Sequence, residues 1–116
     1  MAHIEFSTPS DDEFLLELGL TVALEADGSR TIEVLNEAGQ DVTVSFDPVT
    51  RAVSVVLVIG GREIVRVVRE GASKLRPRFV ESQSCVDIEF QTADLSGSMR
   101  VTLAPQFALD DSLLFH

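Results

Sequence analysis

The chain has 116 residues, 45% of them hydrophobic, a single cysteine and a formal net charge of −10. It is long enough for one domain with its own core and too apolar to be wholly disordered; an intrachain disulfide is excluded, which favours a reducing compartment. The acidity argues against nucleic acid as a partner, because its long-range field repels phosphate, and the lack of Trp and Tyr removes the usual base-stacking anchors.

The first nine residues are mixed, with Ile4 and Phe6 alternating around Glu5 as in a short edge strand. The opening MAHIEF has neither a basic nor an apolar leader region. No apolar run is long enough for a bilayer helix, so a cytoplasmic location and no membrane contact are expected. Residues 10–18 read as a short helix. Ser10 and Glu13 have capping-box spacing, Asp11, Asp12 and Glu13 suit the positive end of the helix dipole, and Gly19 is a stop.

From Leu18 to Glu25 the apolar residues alternate, which predicts a half-buried strand. Asp27-Gly28 is a hairpin turn, and Arg30–Leu35 is the return strand. A second turn at residues 36–40 leads to a strand over residues 41–46, with Val42, Val44 and Phe46 inward. Asp47-Pro48 then starts a turn, with proline fixing φ and the carboxylate able to accept backbone N–H bonds.

The most apolar stretch, residues 52–69, reads as a central hairpin broken by Gly60-Gly61. A two-residue loop would set Val55 against Arg66. A three-residue loop with a bulge sets Leu57 against Val65 and Val55 against Val67, so hydrophobic segregation selects it. The opposite face still holds Val56, Val58, Ile64 and Val68, which calls for partial cover by another element or a partner.

Residues 70–74 read as a loop, and Pro77 restricts Arg76-Pro77-Arg78 to an edge or strand entry. A strand over residues 85–91 follows, with Val86, Ile88 and Phe90 on one face and Cys85, Asp87 and Glu89 on the other. Residues 92–98 read as a loop, and residues 99–104 as the last strand, with Met99, Val101 and Leu103 inward. The tail, residues 106–116, carries Phe107, Leu109, Leu113, Leu114 and Phe115. They are too many for a solvated end, so they either pack back on the domain or contact a partner.

Charge is segregated along the chain. Residues 1–50 hold eleven acids and one base, residues 51–78 seven bases and two acids, and residues 79–116 six acids and one base. The middle segment offers Arg62, Arg66, Arg69, Lys74, Arg76 and Arg78 either to acids on neighbouring strands or to an anionic partner.

Catalytic signals are weak. The two histidines, His3 and His116, sit at the chain ends, so no His-based triad or zinc site is expected. Acidic neighbours disfavour a Cys85 thiolate. Asp87 and Glu89 share a strand face at a spacing that any solvated strand gives, and Gly60-Gly61 lacks the residues of a phosphate loop.

The sequence therefore predicts one mainly β domain over residues 1–116. About eight antiparallel strands form a meander, as a small barrel or two-layer sandwich, with a short N-terminal helix. It predicts a non-enzymatic interaction module with no cofactor and no metal. That module binds a protein partner or itself as a homo-oligomer, or masks a basic partner in the manner of an antidote. The alternative is a β-barrel carrier holding a small apolar ligand among Leu20, Val22, Val44, Phe46, Val55, Leu57, Phe90 and Val101.

Overall fold

The computed structural model describes residues 4–115, with side chains through residue 112. Inward-facing apolar residues at every second position build two antiparallel sheets around one core. The first sheet runs in chain order through β1 (Ala23–Leu24), β2 (Arg30–Leu35), β3 (Gln40–Asp47), β4 (Ala52–Ile59) and β5 (Arg62–Arg69). The second continues through β6 (Ala72–Val80), β7 (Gln83–Gln91), β8 (Leu95–Ala104) and β9 (Ala108–Phe115). The sheets do not close into a barrel, so the fold is a two-layer sandwich with one helix, α1 (Asp11–Leu18). The expected ligand-lining residues Val44, Phe46, Val55, Leu57, Phe90 and Val101 are buried against one another, with Leu20 and Val22 packed at their margin.

The central hairpin has the register that hydrophobic segregation demands, reached by a different turn. Leu57 opposes Val65 and Val55 opposes Val67. The loop is two residues, however, with Gly60 and Gly61 both at positive φ (60° and 78°) between paired Ile59 and Arg62. The extra residue is Ile64, a bulge two positions into β5, which restores the apolar face that a plain two-residue turn would have lost.

Helix α1 is built by local chemistry and held by aromatic packing. The Ser10 hydroxyl accepts from the Glu13 N–H (3.3 Å), and the Glu13 carboxylate accepts from the Ser10 N–H (3.5 Å). Gly19 closes the helix at φ 69°. Phe14 is fully buried and stacks on Phe46, ring centroids 5.9 Å apart, while Phe6 meets the same ring edge-on at 6.3 Å.

The helix and the segment before it close one sheet edge. Along β6 the outward positions alternate. Leu75 donates its N–H to the Ser7 carbonyl (3.0 Å), Pro77 has no N–H to offer, and Phe79 donates to the Glu17 carboxylate (2.9 Å). Each outward donor from Leu75 to Phe79 is thus capped or absent, which blocks pairing with another strand there.

The chain crosses between sheets once, at Gly71. Its φ of 90° is left-handed, and a Cβ there would lie 2.6 Å from Thr92 Cγ2. Arg51 clasps this crossing. Its guanidinium donates to the carbonyls of Ala72 (2.8 Å), Gly71 (2.9 Å) and Gln91, and its own carbonyl accepts from the Ala72 N–H (3.0 Å).

Four expected segments differ. Only Ala23–Leu24 of residues 18–25 pairs, because α1 runs through Leu18 and the chain then leaves the sheet. The loops expected over residues 70–74 and 92–98 are shorter, with β6 starting at Ala72 and β8 at Leu95. Serine and glycine hid the latter start. The tail forms β9 along β8, which gives a ninth strand.

Two stability measurements follow. Phe14→Ala should cost about 3–5 kcal/mol in denaturant unfolding, whereas Leu16→Ala, at a site 87% exposed, should stay within about 0.5 kcal/mol. Gly71→Ala should cost roughly 2–4 kcal/mol from left-handed strain plus the Thr92 clash, and Thr92→Ser should recover part of it.

Candidate interaction surface

The structure divides the six basic residues expected to act together. Arg62 and Arg66 lie on β5 in the first sheet, and Lys74, Arg76 and Arg78 lie on β6 in the second. Arg69 ties the two sheets. It grips Asp111 of β9 through two bonds of 2.6 Å and stands over the Phe90 ring, 5.2 Å from its centroid. This hydrogen-bonded pairing, with the attraction of the charge, holds the Asp111 carboxyl below its ordinary value.

Most of these bases are engaged within the chain. Arg66 pairs with Glu63 (2.6 Å), Lys74 with Glu89 (3.9 Å) and Arg78 with Asp87 (3.5 Å). Arg76 donates to the Ser7 hydroxyl (2.9 Å) and the Leu75 carbonyl (2.8 Å). Arg100, from the acidic C-terminal segment, takes Asp87 through bonds of 2.7 and 3.0 Å. Cross-strand register explains the pattern. Arg76, Asp87, Arg100 and Asp110 form one row across the outer face of the second sheet, alternating in sign.

That outer face carries an open polar groove of about 420 Å³ lined by Asp87, Ser98, Arg100, Asp110 and Ser112. Cys85 and Thr102 lie one row away, both buried, with Sγ and Oγ1 3.7 Å apart. Asp87 and Glu89 therefore each face a base rather than each other. Among the described residues, no group of three or more His, Cys, Asp or Glu side chains is arranged to hold a metal ion.

The outer face of the first sheet has the opposite character. One row reads Glu33, Thr43, Val56, Arg66; the next reads Leu35, Asp41, Val58, Glu63; a third reads Thr31, Ser45, Ser54, Val68. A shallow groove of about 320 Å³ at one end adds Asp27 and Asp47. Leu35, Ile64 and Val68 are exposed and Val56 and Val58 half-exposed, so this face, expected to be covered in part, is open to solvent. Five carboxylates on it (Asp27, Glu33, Asp41, Asp47, Glu63) answer to one guanidinium, Arg66.

Glu33 and Asp41 are the unbalanced part of this face. The neighbouring Asp41 carboxylate, by accepting from the protonated form of Glu33 and by repelling the ionised form, raises Glu33 above its ordinary value. One Asp41 oxygen is shielded from water and has no hydrogen-bond partner. Sequence reading missed this pair, because eight positions separate the residues along the chain and only the β2–β3 register makes them diagonal neighbours.

In the tail, Phe107 and Leu109 are half-buried against the core, and the Phe107 N–H donates to the Gln40 side chain (2.8 Å). Leu113, Leu114 and Phe115 are in β9, but their side chains lie outside the described residues, as do His3 and His116. No described helix is long and apolar enough to cross a membrane.

These features define the class as a two-sheet antiparallel sandwich with charged outer faces. No protein-family model matches the chain, and no curated protein sequence matches it. In three dimensions it is similar to a chain in the "Contact-dependent growth inhibition toxin - immunity protein complex from Klebsiella pneumoniae 342". The TM-score is 0.80 and the identity 19%, covering 97% of this chain and 100% of that one.

Opposite pH responses are expected from the two carboxyl environments. Asp111 stabilises the fold fully above 3.8, the ordinary aspartate value, and the effect is lost as pH falls through its lower folded value. The stability difference between wild type and Asp111→Asn, about 1–2 kcal/mol at pH 7, should therefore shrink on acidification. Glu33 works the other way: its penalty appears as pH rises from 4.5 through the raised folded value. Glu33→Gln should unfold at the same or a higher temperature than wild type at pH 7, with no gain at pH 4. Thermal unfolding against pH checks both.

Proposed function

We propose that this chain is an antidote-type binding protein, which masks a basic surface on a protein partner and performs no chemistry of its own. The observation that carries this reading is the full-length correspondence in fold with a chain from a toxin–immunity complex. Charge supports it. The bases are largely engaged internally, so the surplus of nineteen acids over nine bases is offered to solvent. An acidic surface repels a second copy of itself and attracts a cationic protein, raising its association rate. This favours a foreign partner over the homo-oligomer that the sequence also allowed. The single cysteine, buried and unpaired, fits action in the cytoplasm.

The test is co-expression with the proteins encoded directly on either side of this chain in its own genome. One of them should be basic and should arrest growth alone. Growth should return when this chain is present, and the two should co-elute as a complex that weakens as salt rises. Absence of both rescue and co-elution with either neighbour would sink the reading.

A further inference from the structure

The two outer faces of the sandwich are built to different rules. On the second sheet, Lys74, Arg76, Arg78 and Arg100 are interleaved with Asp87, Glu89 and Asp110, and the ion pairs run along and across the rows. Any ligand there must displace contacts already made. On the first sheet, Arg66 is spent on Glu63 while Glu33 and Asp41 face only each other, beside exposed Leu35, Ile64 and Val68. Such a face combines apolar area to bury with carboxylates lacking counter-ions. Its complement is a surface with apolar groups flanked by arginine or lysine, not a copy of itself.

We propose that the outer face of the first sheet, centred on Glu33, Asp41 and Glu63, is the docking surface for a basic protein partner. Its cationic side chains would sit at the Glu33–Asp41 pair. This rests on the antidote reading and adds where the partner binds. A guanidinium there pairs with the exposed Glu33 carboxylate and sets a positive charge beside Asp41, replacing carboxyl–carboxyl repulsion with charge-assisted hydrogen bonds. Val56 and Val58, half-exposed members of the two rows that hold Glu33 and Asp41, supply the apolar floor. The closed β6 edge lies in the other sheet, so docking here needs no rearrangement of the helix that seals it.

The experiment compares two variants of equal net charge. Glu33→Gln with Asp41→Asn removes the proposed anchor. Glu81→Gln with Asp94→Asn removes two exposed acids outside the first sheet. The second should keep the wild-type unfolding transition, and the first should unfold at the same or a higher temperature. With the co-encoded basic protein, the first should weaken binding by about tenfold or more and impair growth rescue, while the second should change affinity less than about threefold. A hexa-arginine peptide, titrated at low salt and followed by amide chemical shifts, should perturb β2 to β5 in the wild type but not in the first variant. If the wild type rescues growth and both variants rescue equally, the docking face is wrong and the antidote reading stands. If the wild type does not rescue, the antidote reading fails, and peptide shifts on the second sheet or nowhere would overturn the face as well.

Discussion

Everything in this sandwich depends on one crossing being held in place. Each sheet is a sequential meander, so nine strands pair with near neighbours in the chain and only the Glu70-Gly71 step carries the chain from one layer to the other. Gly71 turns where a side chain would collide with Thr92, and the carbonyls of Gly71 and Ala72 meet that of Gln91, at the end of β7, at the layer boundary. A single guanidinium, Arg51, answers all three, as its fork of donors permits. Arg51 itself sits at φ 63° in the β3–β4 turn, so a strained turn in one sheet positions the clasp for the other.

A second tie joins β5 and β9, the last strands of the two sheets. Asp111 falls on the inward register of β9, opposite Met99, where an apolar residue would be the simpler choice. Its placement makes sense only with Arg69 at the end of β5 lying over Phe90. Arg51 and Arg69 lie in one basic stretch of sequence, and each joins the two sheets through different partners. The basic middle segment is therefore largely consumed in joining layers and in laddering the second sheet. That consumption leaves most acids of the first fifty residues without a basic counter-ion, Asp11 with Arg30 being the exception among the ion pairs described.

How much of this the sequence disclosed depends on the range of the interaction. Period-two alternation placed Val42, Val44, Phe46, Val86, Ile88, Met99, Val101 and Leu103 inward, and the capping box and Gly19 bounded the helix, because both signals are local. The hairpin register was legible from hydrophobic segregation alone. Its turn was not: putting the extra residue in the loop or at Ile64 yields the same buried pairs, so the pattern cannot distinguish them. Residues 72–74 and 95–98 looked like loops because their alternation is written in Ala, Ser and Gly. The tail was legible as packing on the domain or on a partner, with helix and strand left open, since Asp110-Asp111 breaks the alternation for the sake of a partner elsewhere. Arg51 and the Glu33–Asp41 pair were invisible because they are defined by register and crossing, not by spacing.

The functional reading turns on the same accounting. Proteins that must stay monomeric protect their sheet edges, and here the protection of β6 is thorough: a backbone bridge, a proline and a carboxylate cap occupy successive outward positions. An equally exposed apolar region, the outer face of the first sheet, is not covered by any such device. It is instead studded with carboxylates, a pattern that disfavours apposition of two copies and suits the cation-rich partner proposed above. Where Glu33 and Asp41 meet, hydrogen bonding to the protonated form and then mutual repulsion raise the Glu33 carboxyl, so keeping both ionised costs stability. That cost has no structural return within the chain. In the complex proposed above it would have one, because each buried apolar contact and each newly paired carboxylate is gained only on meeting a cationic partner.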